Sequence, residues 1–231
     1  MIRQFAFDLG APETYRAADY FTSDANATAY AQVMGGNWPG GRMVLIGPAG
    51  AGKSHLAHIW AETTGAQVLA GSDLGSLPLT DVAGAVVVED AQTLGGKPEA
   101  EEALFHLWNR ADSALLITAQ VVPRDWGLRL PDLLSRVQSM AIAQLSPPDD
   151  ALLAAVLVKL FADRQVHVQP NLIAYLIARM ERSVAAARAV VAALDARALA
   201  LGRPITRGMA ADLMGHGAEL TGHDLDSDGP G

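Results

Sequence analysis

Residues 47–54, Gly-Pro-Ala-Gly-Ala-Gly-Lys-Ser, constrain this chain more than any other segment. They fit G-x-x-x-x-G-K-[ST], follow the apolar run 42–46 and open the helix-forming stretch 55–63. Between a strand and a helix, glycines let the backbone curl so that its N–H groups point inward at one spot. The helix amino terminus adds partial positive charge there. The predicted ligand is a nucleotide, ATP or ADP with Mg²⁺. Gly47, Pro48, Ala49, Gly50, Ala51, Gly52 and His55 would form or flank the cradle, Lys53 would reach the β- and γ-phosphates, and the Ser54 hydroxyl would ligate Mg²⁺. A glycine turn with an incidental lysine is the bland alternative, and the strand–loop–helix context argues against it.

A phosphate loop needs a nearby acid on a buried strand. Val86-Val-Val-Glu89-Asp90 supplies one, with no polar alternation in its apolar part, the pattern of a strand covered on both faces. Glu89 is the candidate to orient Mg²⁺ through its water shell, and Asp90 to polarise an attacking water.

Strand and helix signals then keep alternating. Residues 67–69, 85–88, 114–118 and 140–145 read as strands, and 25–34, 99–112 and 132–136 as helices. That order predicts an α/β fold, a parallel sheet sandwiched by helices. After Pro147-Pro148 only helical periodicity is visible, through residues 152–161, 172–180 and 183–201. The expected organisation is an extended segment over 1–12, an α/β nucleotide-binding domain over 13–146, a small all-helical lid over 147–214 and a polar, disordered tail over 215–231.

With 25 Asp+Glu against 17 Lys+Arg in 231 residues, the net charge of -8 argues against tight binding of bare DNA. No cysteine is present, so thiolate nucleophiles and thiolate zinc sites are excluded. No signal-peptide core or uncharged span of about 20 residues is visible, so a soluble, cytoplasmic chain without membrane partners is expected. His55 and His58 share a helix face as a weak metal pair without a third ligand.

Several segments together resemble the AAA+ ATPase module of the DnaA family, and within it the Hda branch, which lacks the DNA-binding domain. They are Gly52–Ala61, Val86–Leu94, Leu115–Thr118 and Leu130-Pro-Asp-Leu-Leu-Ser-Arg136. The likeness runs from about residue 4 to Met214. It implies an AAA+ sheet with a helical lid, and a role in regulating chromosomal replication initiation without sequence-specific DNA binding. It also implies that Arg136 is an arginine finger acting in trans on ATP held by the DnaA initiator, with Arg124 and Arg129 weaker candidates. Gln4-Phe-Ala-Phe-Asp-Leu9 resembles the family's peptide for the DNA sliding clamp, with Gln4 at a pocket rim and Phe7 and Leu9 as anchors. Through the clamp the protein would be nucleoid-associated. From the residues alone, alternating Phe5 and Phe7 read better as an edge strand on the protein's own sheet, and only the resemblance puts clamp binding first.

Three positions depart from the family pattern. Glu89 stands where Asp is usual, with Asp90 as the second acid. The sensor 1 region reads Thr118-Ala119-Gln120, leaving Thr118 or Gln120 as the sensor. Ala185 falls at the sensor 2 site, with Arg182 and Arg188 one helical turn to either side, Arg188 being the candidate. A site that binds nucleotide and turns it over slowly is the expectation. Rival readings are a homo-oligomeric P-loop ATPase and a nucleotide-switched adaptor resembling a helicase loader.

Overall fold

The computed structural model describes residues 15–110 and 114–219. Five strands form one all-parallel sheet: β1 (Arg42–Ile46), β2 (Gln67–Ala70), β3 (Val86–Glu89), β4 (Leu115–Ala119) and β5 (Ala141–Gln144), in the order β2-β3-β4-β1-β5. A parallel sheet needs crossover helices, and these cover both of its faces. α1 (Ala27–Gly35) and α2 (Lys53–Thr64) pack on the face made by Leu45, Val87, Leu116 and Ala143. α3 (Pro98–Asn109) and α4 (Pro131–Gln138) cover Val44, Val88 and Ile117 on the other. The side chains of β1, β3 and β4 alternate between these two cores, which is why their sequences run apolar without a polar period.

The expected helix over 99–112 is shorter in the structure. α3 ends at Asn109, and Arg110 turns extended. The Arg42 guanidinium takes the carbonyls of Trp108 (2.5 Å) and Arg110 (3.2 Å), so a side chain from β1 captures the groups that another helical turn would have used.

Among the described residues four helices make the lid: α5 (Asp150–Asp163), α6 (Pro170–Ile177), α7 (Val184–Leu201) and α8 (Arg207–Glu219). They share a separate core around Leu157, Phe161, Leu176, Val191 and Leu194. The boundary expected at residue 214 falls inside α8. Among the described residues no helix is long and apolar enough to cross a membrane.

The hinge at Pro147-Pro148 is strapped down. Asp149 caps α5 through the Leu152 N–H (2.7 Å) and accepts a second bond from the Ala25 N–H (3.3 Å), while the Ser146 N–H donates to the Ala25 carbonyl (3.2 Å). Lys159 of α5 pairs with Asp19 at 3.2 Å. The segment before α1 thus touches sheet domain and lid together.

Candidate functional site

In a parallel α/β sheet, ligand sites collect at the carboxyl ends of the strands, where loops turn toward the helices. Here β1 ends at Ile46 and the chain enters Gly47–Ser54 directly. Gly50 (φ +70°) and Gly52 (φ +94°) adopt the left-handed backbone that reverses the chain before α2 starts at Lys53. Lys53 is 7% exposed, and its ammonium donates to the carbonyls of Gly47 (2.9 Å) and Pro48 (3.0 Å). Burial lowers its pKa, and the carboxylates of Asp90 and Glu89 oppose that shift. The site is therefore a cation held inside its own loop, facing two acids.

Ser54 is half-buried in the first turn of α2. Next to it, His55 donates its Nε2–H to the Arg16 carbonyl (3.0 Å). Desolvation is the main cause that lowers the His55 pKa, and Arg188 is among the charges that push it further down. The rings of His55 and His58 pack against tyrosines: Tyr15 stacks on His58 (4.3 Å, 24°), and Tyr20 meets His55 edge-on (5.2 Å). Among the described residues no group of three or more His, Cys, Asp or Glu is placed to hold a metal ion. A cavity of about 390 Å³ beside His58, lined also by Tyr15, Ala61, Glu62 and Ala66, includes none of the loop residues.

Glu89 continues the Val87 side of β3 and so faces α2. One carboxylate oxygen lies 3.6 Å from His58 Nε2, and the other, Oε1, is buried without a hydrogen-bond partner. A buried carboxylate oxygen left open beside a lysine and a loop of backbone donors suits a hydrated divalent cation. Asp90 turns the chain sharply, with φ +53°. Its N–H donates to Thr118 Oγ1 (3.1 Å), and its carboxylate accepts from the Gln92 amide (3.1 Å). The same Gln92 side chain accepts from the Gln120 N–H (3.1 Å). Thr118, 1% exposed, thus sits against Asp90, whereas Gln120 contributes its backbone and is itself exposed.

The lid reaches this site through α7. Ser183 caps that helix by accepting from the Ala186 N–H (3.0 Å), and the Val184 N–H donates to the Gly50 carbonyl (3.0 Å). Ala185 is exposed in the first turn, and Arg188 is half-buried one turn on. Arg182 pairs with Asp150 of the lid (2.7 Å). Of the two arginines flanking Ala185, Arg188 is the one that acts electrostatically on the start of α2.

Arg136 is elsewhere. It lies in the last turn of α4, half-exposed, with its guanidinium over the Phe105 ring (4.7 Å) and donating to Asn109 Oδ1 (2.5 Å). Both partners belong to α3. Arg124 pairs with Asp125 (3.6 Å), and Arg129 is exposed. Gln4, Phe7 and Leu9 lie outside the described residues. Sequence reading missed Gln92, Phe105, Asn109 and Ser183; only Ser183 carried a local signal, as a helix cap ahead of an apolar run.

No family model matches the sequence. Among solved structures, domain III of the replication initiation protein DnaA from Thermotoga maritima aligns with a TM-score of 0.76 and 18% identity, over 87% of this chain and 96% of that one. AMPPCP-bound DnaA from Aquifex aeolicus aligns with a TM-score of 0.64 and 16% identity, over 81% and 66%. The RuvB Holliday junction branch migration motor of Thermotoga maritima gives 0.60 and 18%, over 76% and 61%. At these identities the likeness is one of fold: the five-stranded parallel sheet and the helices after it are arranged like those of DnaA domain III.

Proposed function

We propose that this protein is a nucleotide-binding AAA+ regulator of chromosomal replication initiation. Gly47–Ser54 holds ATP or ADP, with Lys53 on the phosphates and with Ser54 and Glu89 holding Mg²⁺ through oxygen ligands and water. Bound Mg²⁺ would neutralise phosphate charge. Asp90, steadied by Thr118 and Gln92, orients water near the phosphates. The lid covers the loop through Ser183 and Val184, with Arg188 close to the start of α2.

The observation that carries the regulatory reading is the placement of Arg136. Its guanidinium is held by Phe105 and Asn109 of α3, not by the phosphate loop of its own chain. An arginine offered away from its own site suits a nucleotide bound elsewhere. There a guanidinium stabilises charge developing in phosphoryl transfer, worth about 10³–10⁵ in rate or roughly 4–7 kcal/mol. In this reading the N-terminal peptide, with Gln4, Phe7 and Leu9, docks on the DNA sliding clamp. Arg136 then meets ATP-bound DnaA and drives it to the ADP form.

The test is to load DnaA with labelled ATP, add clamp-loaded DNA, and follow hydrolysis with wild-type protein and with Arg136→Ala. Acceleration that the variant loses supports the reading. No acceleration by the wild type, with DnaA and clamp competent, overturns it. The set of Lys53, Glu89, Asp90 and Thr118 within one chain favours a second reading, a homo-oligomeric ATPase whose Arg136 serves a sister subunit. Its ATPase activity would rise steeply with protein concentration and would need no DnaA.

A further inference from the structure

Glu101 is 2% exposed and stands in the first turn and a half of α3. A carboxylate removed from water must have its lone pairs filled. Three backbone N–H groups fill them: Gly96 donates to Oε1 (3.0 Å), and Arg129 and Leu130 both donate to Oε2 (2.8 Å each). These donors come from two separate loops. Gly96 belongs to the loop that leaves Asp90, and Arg129 and Leu130 immediately precede α4. Leu130, at the cap position of α4, makes no side-chain capping bond. The start of α4 is anchored by a charged group on another helix.

The neighbouring contacts make this junction stiff. A Cβ on Gly95 would run into the Trp126 carbonyl, so the two loops lie backbone against backbone. Trp126 Nε1 in turn donates to the Val121 carbonyl (2.8 Å). Upstream, Gln92 joins Asp90 to Gln120, and Thr118 receives the Asp90 N–H. A continuous run of hydrogen bonds and covalent backbone therefore leads from the acidic end of β3 through Glu101 to α4 and Arg136. Bonds to a buried carboxylate are charge-assisted, the strong class, and hold geometry better than neutral ones.

We propose that Glu101 is a positioning residue that couples the acidic end of β3 to the helix carrying Arg136. The inference rests on the trans-acting reading of Arg136. Glu101 touches no nucleotide; it sets where α4 lies and transmits displacement of the Asp90 loop to it.

The experiment uses the full chain with Glu101→Gln, which keeps the shape and replaces one acceptor oxygen by a donor facing N–H groups. In the DnaA hydrolysis assay the maximal stimulated rate should fall about tenfold to a hundredfold, the scale of a misplaced catalytic group. The protein concentration for half-maximal stimulation should stay within about twofold, because the loss is in the transition state and not in binding. In an Arg136→Ala background, Glu101→Gln should cause no further loss; losses that multiply would mean a merely structural role and overturn the proposal. An undiminished maximal rate for Glu101→Gln alone would overturn it as well.

Amide exchange of the same proteins, with and without ADP, separates the two claims. ADP should alter protection along residues 131–138 in the wild type and not in Glu101→Gln, with protection of the sheet amides kept in both. If the wild type fails to stimulate DnaA, the reading of Arg136 has failed. The coupling then stands on the ADP-dependent exchange alone, and falls if that exchange is absent or survives the substitution.

Discussion

Placing one methyl group on Gly50 tests how the lid is seated on the phosphate loop. A Cβ there would lie 2.5 Å from Ser183 Cβ and 3.1 Å from its Oγ, on a backbone with φ +70°. The left-handed conformation costs an alanine roughly 1–2 kcal/mol. Carbon atoms settle about 3.5–4.0 Å apart, so loop and lid must separate by about 1 Å. That separation strains or breaks the Val184–Gly50 bond, worth about 0.5–1.5 kcal/mol. Gly50→Ala should therefore cost about 2–3 kcal/mol, seen by calorimetry as a fall in Tm of roughly 5–10 °C for a chain of this size. Ser183→Gly removes the colliding atoms at a cost of only about a few tenths of a kcal/mol for the cap. In that background Gly50→Ala should lose only its conformational share. If the two substitutions prove additive, or if Gly50→Ala melts within about 1 °C of wild type, the seating described here is wrong.

Three further perturbations follow from the site. Asp149 has its pKa lowered from 3.8, first by the Leu152 N–H. Its stabilisation is complete above that value and lost as pH falls through the lower folded value, so Asp149→Asn should flatten the decline in Tm on acidification below about pH 4. Thr118→Val leaves the Asp90 N–H without its acceptor; turnover in any hydrolysis assay should fall while ADP affinity by titration calorimetry stays within about threefold, because binding and orientation are separate tasks. Lys53→Ala removes a nearly buried cation aimed at the loop carbonyls, and ADP affinity should drop about a hundredfold, the scale of a lost charged partner.

Much of the sheet was legible because its signals are local. Runs such as Met43–Ile46 and Val86–Val88 are apolar on both faces and bounded by glycine or charge, and the loop after Ile46 is contiguous in sequence. Lys53, Ser54 and the Glu89–Asp90 pair could be singled out as candidates from spacing for the same reason. Glu101 could not. A glutamate in the first turns of a helix reads as a solvated complement to the helix dipole, and only the return of residues 129–130 buries it. Gln92 and Ser183 act on partners that the chain brings close only when folded. α8 was missed because Gly208, Gly215 and Gly217 dilute its periodicity, and packing against α6 and α7 decides it.

The strand order has a consequence for synthesis on the ribosome. β1 has no partner near it in the chain: it pairs with β4 and β5, whose residues follow after roughly seventy and a hundred more have been translated. At about 5–20 residues per second, the segment Met43–Ile46 stays without strand neighbours for several seconds or longer. For that interval a nascent chain carries a sticky apolar segment and a complete nucleotide motif with no sheet beneath it. Only when residues 141–144 emerge can β1 be enclosed on both sides, so chaperone capture of stalled chains should end near that length.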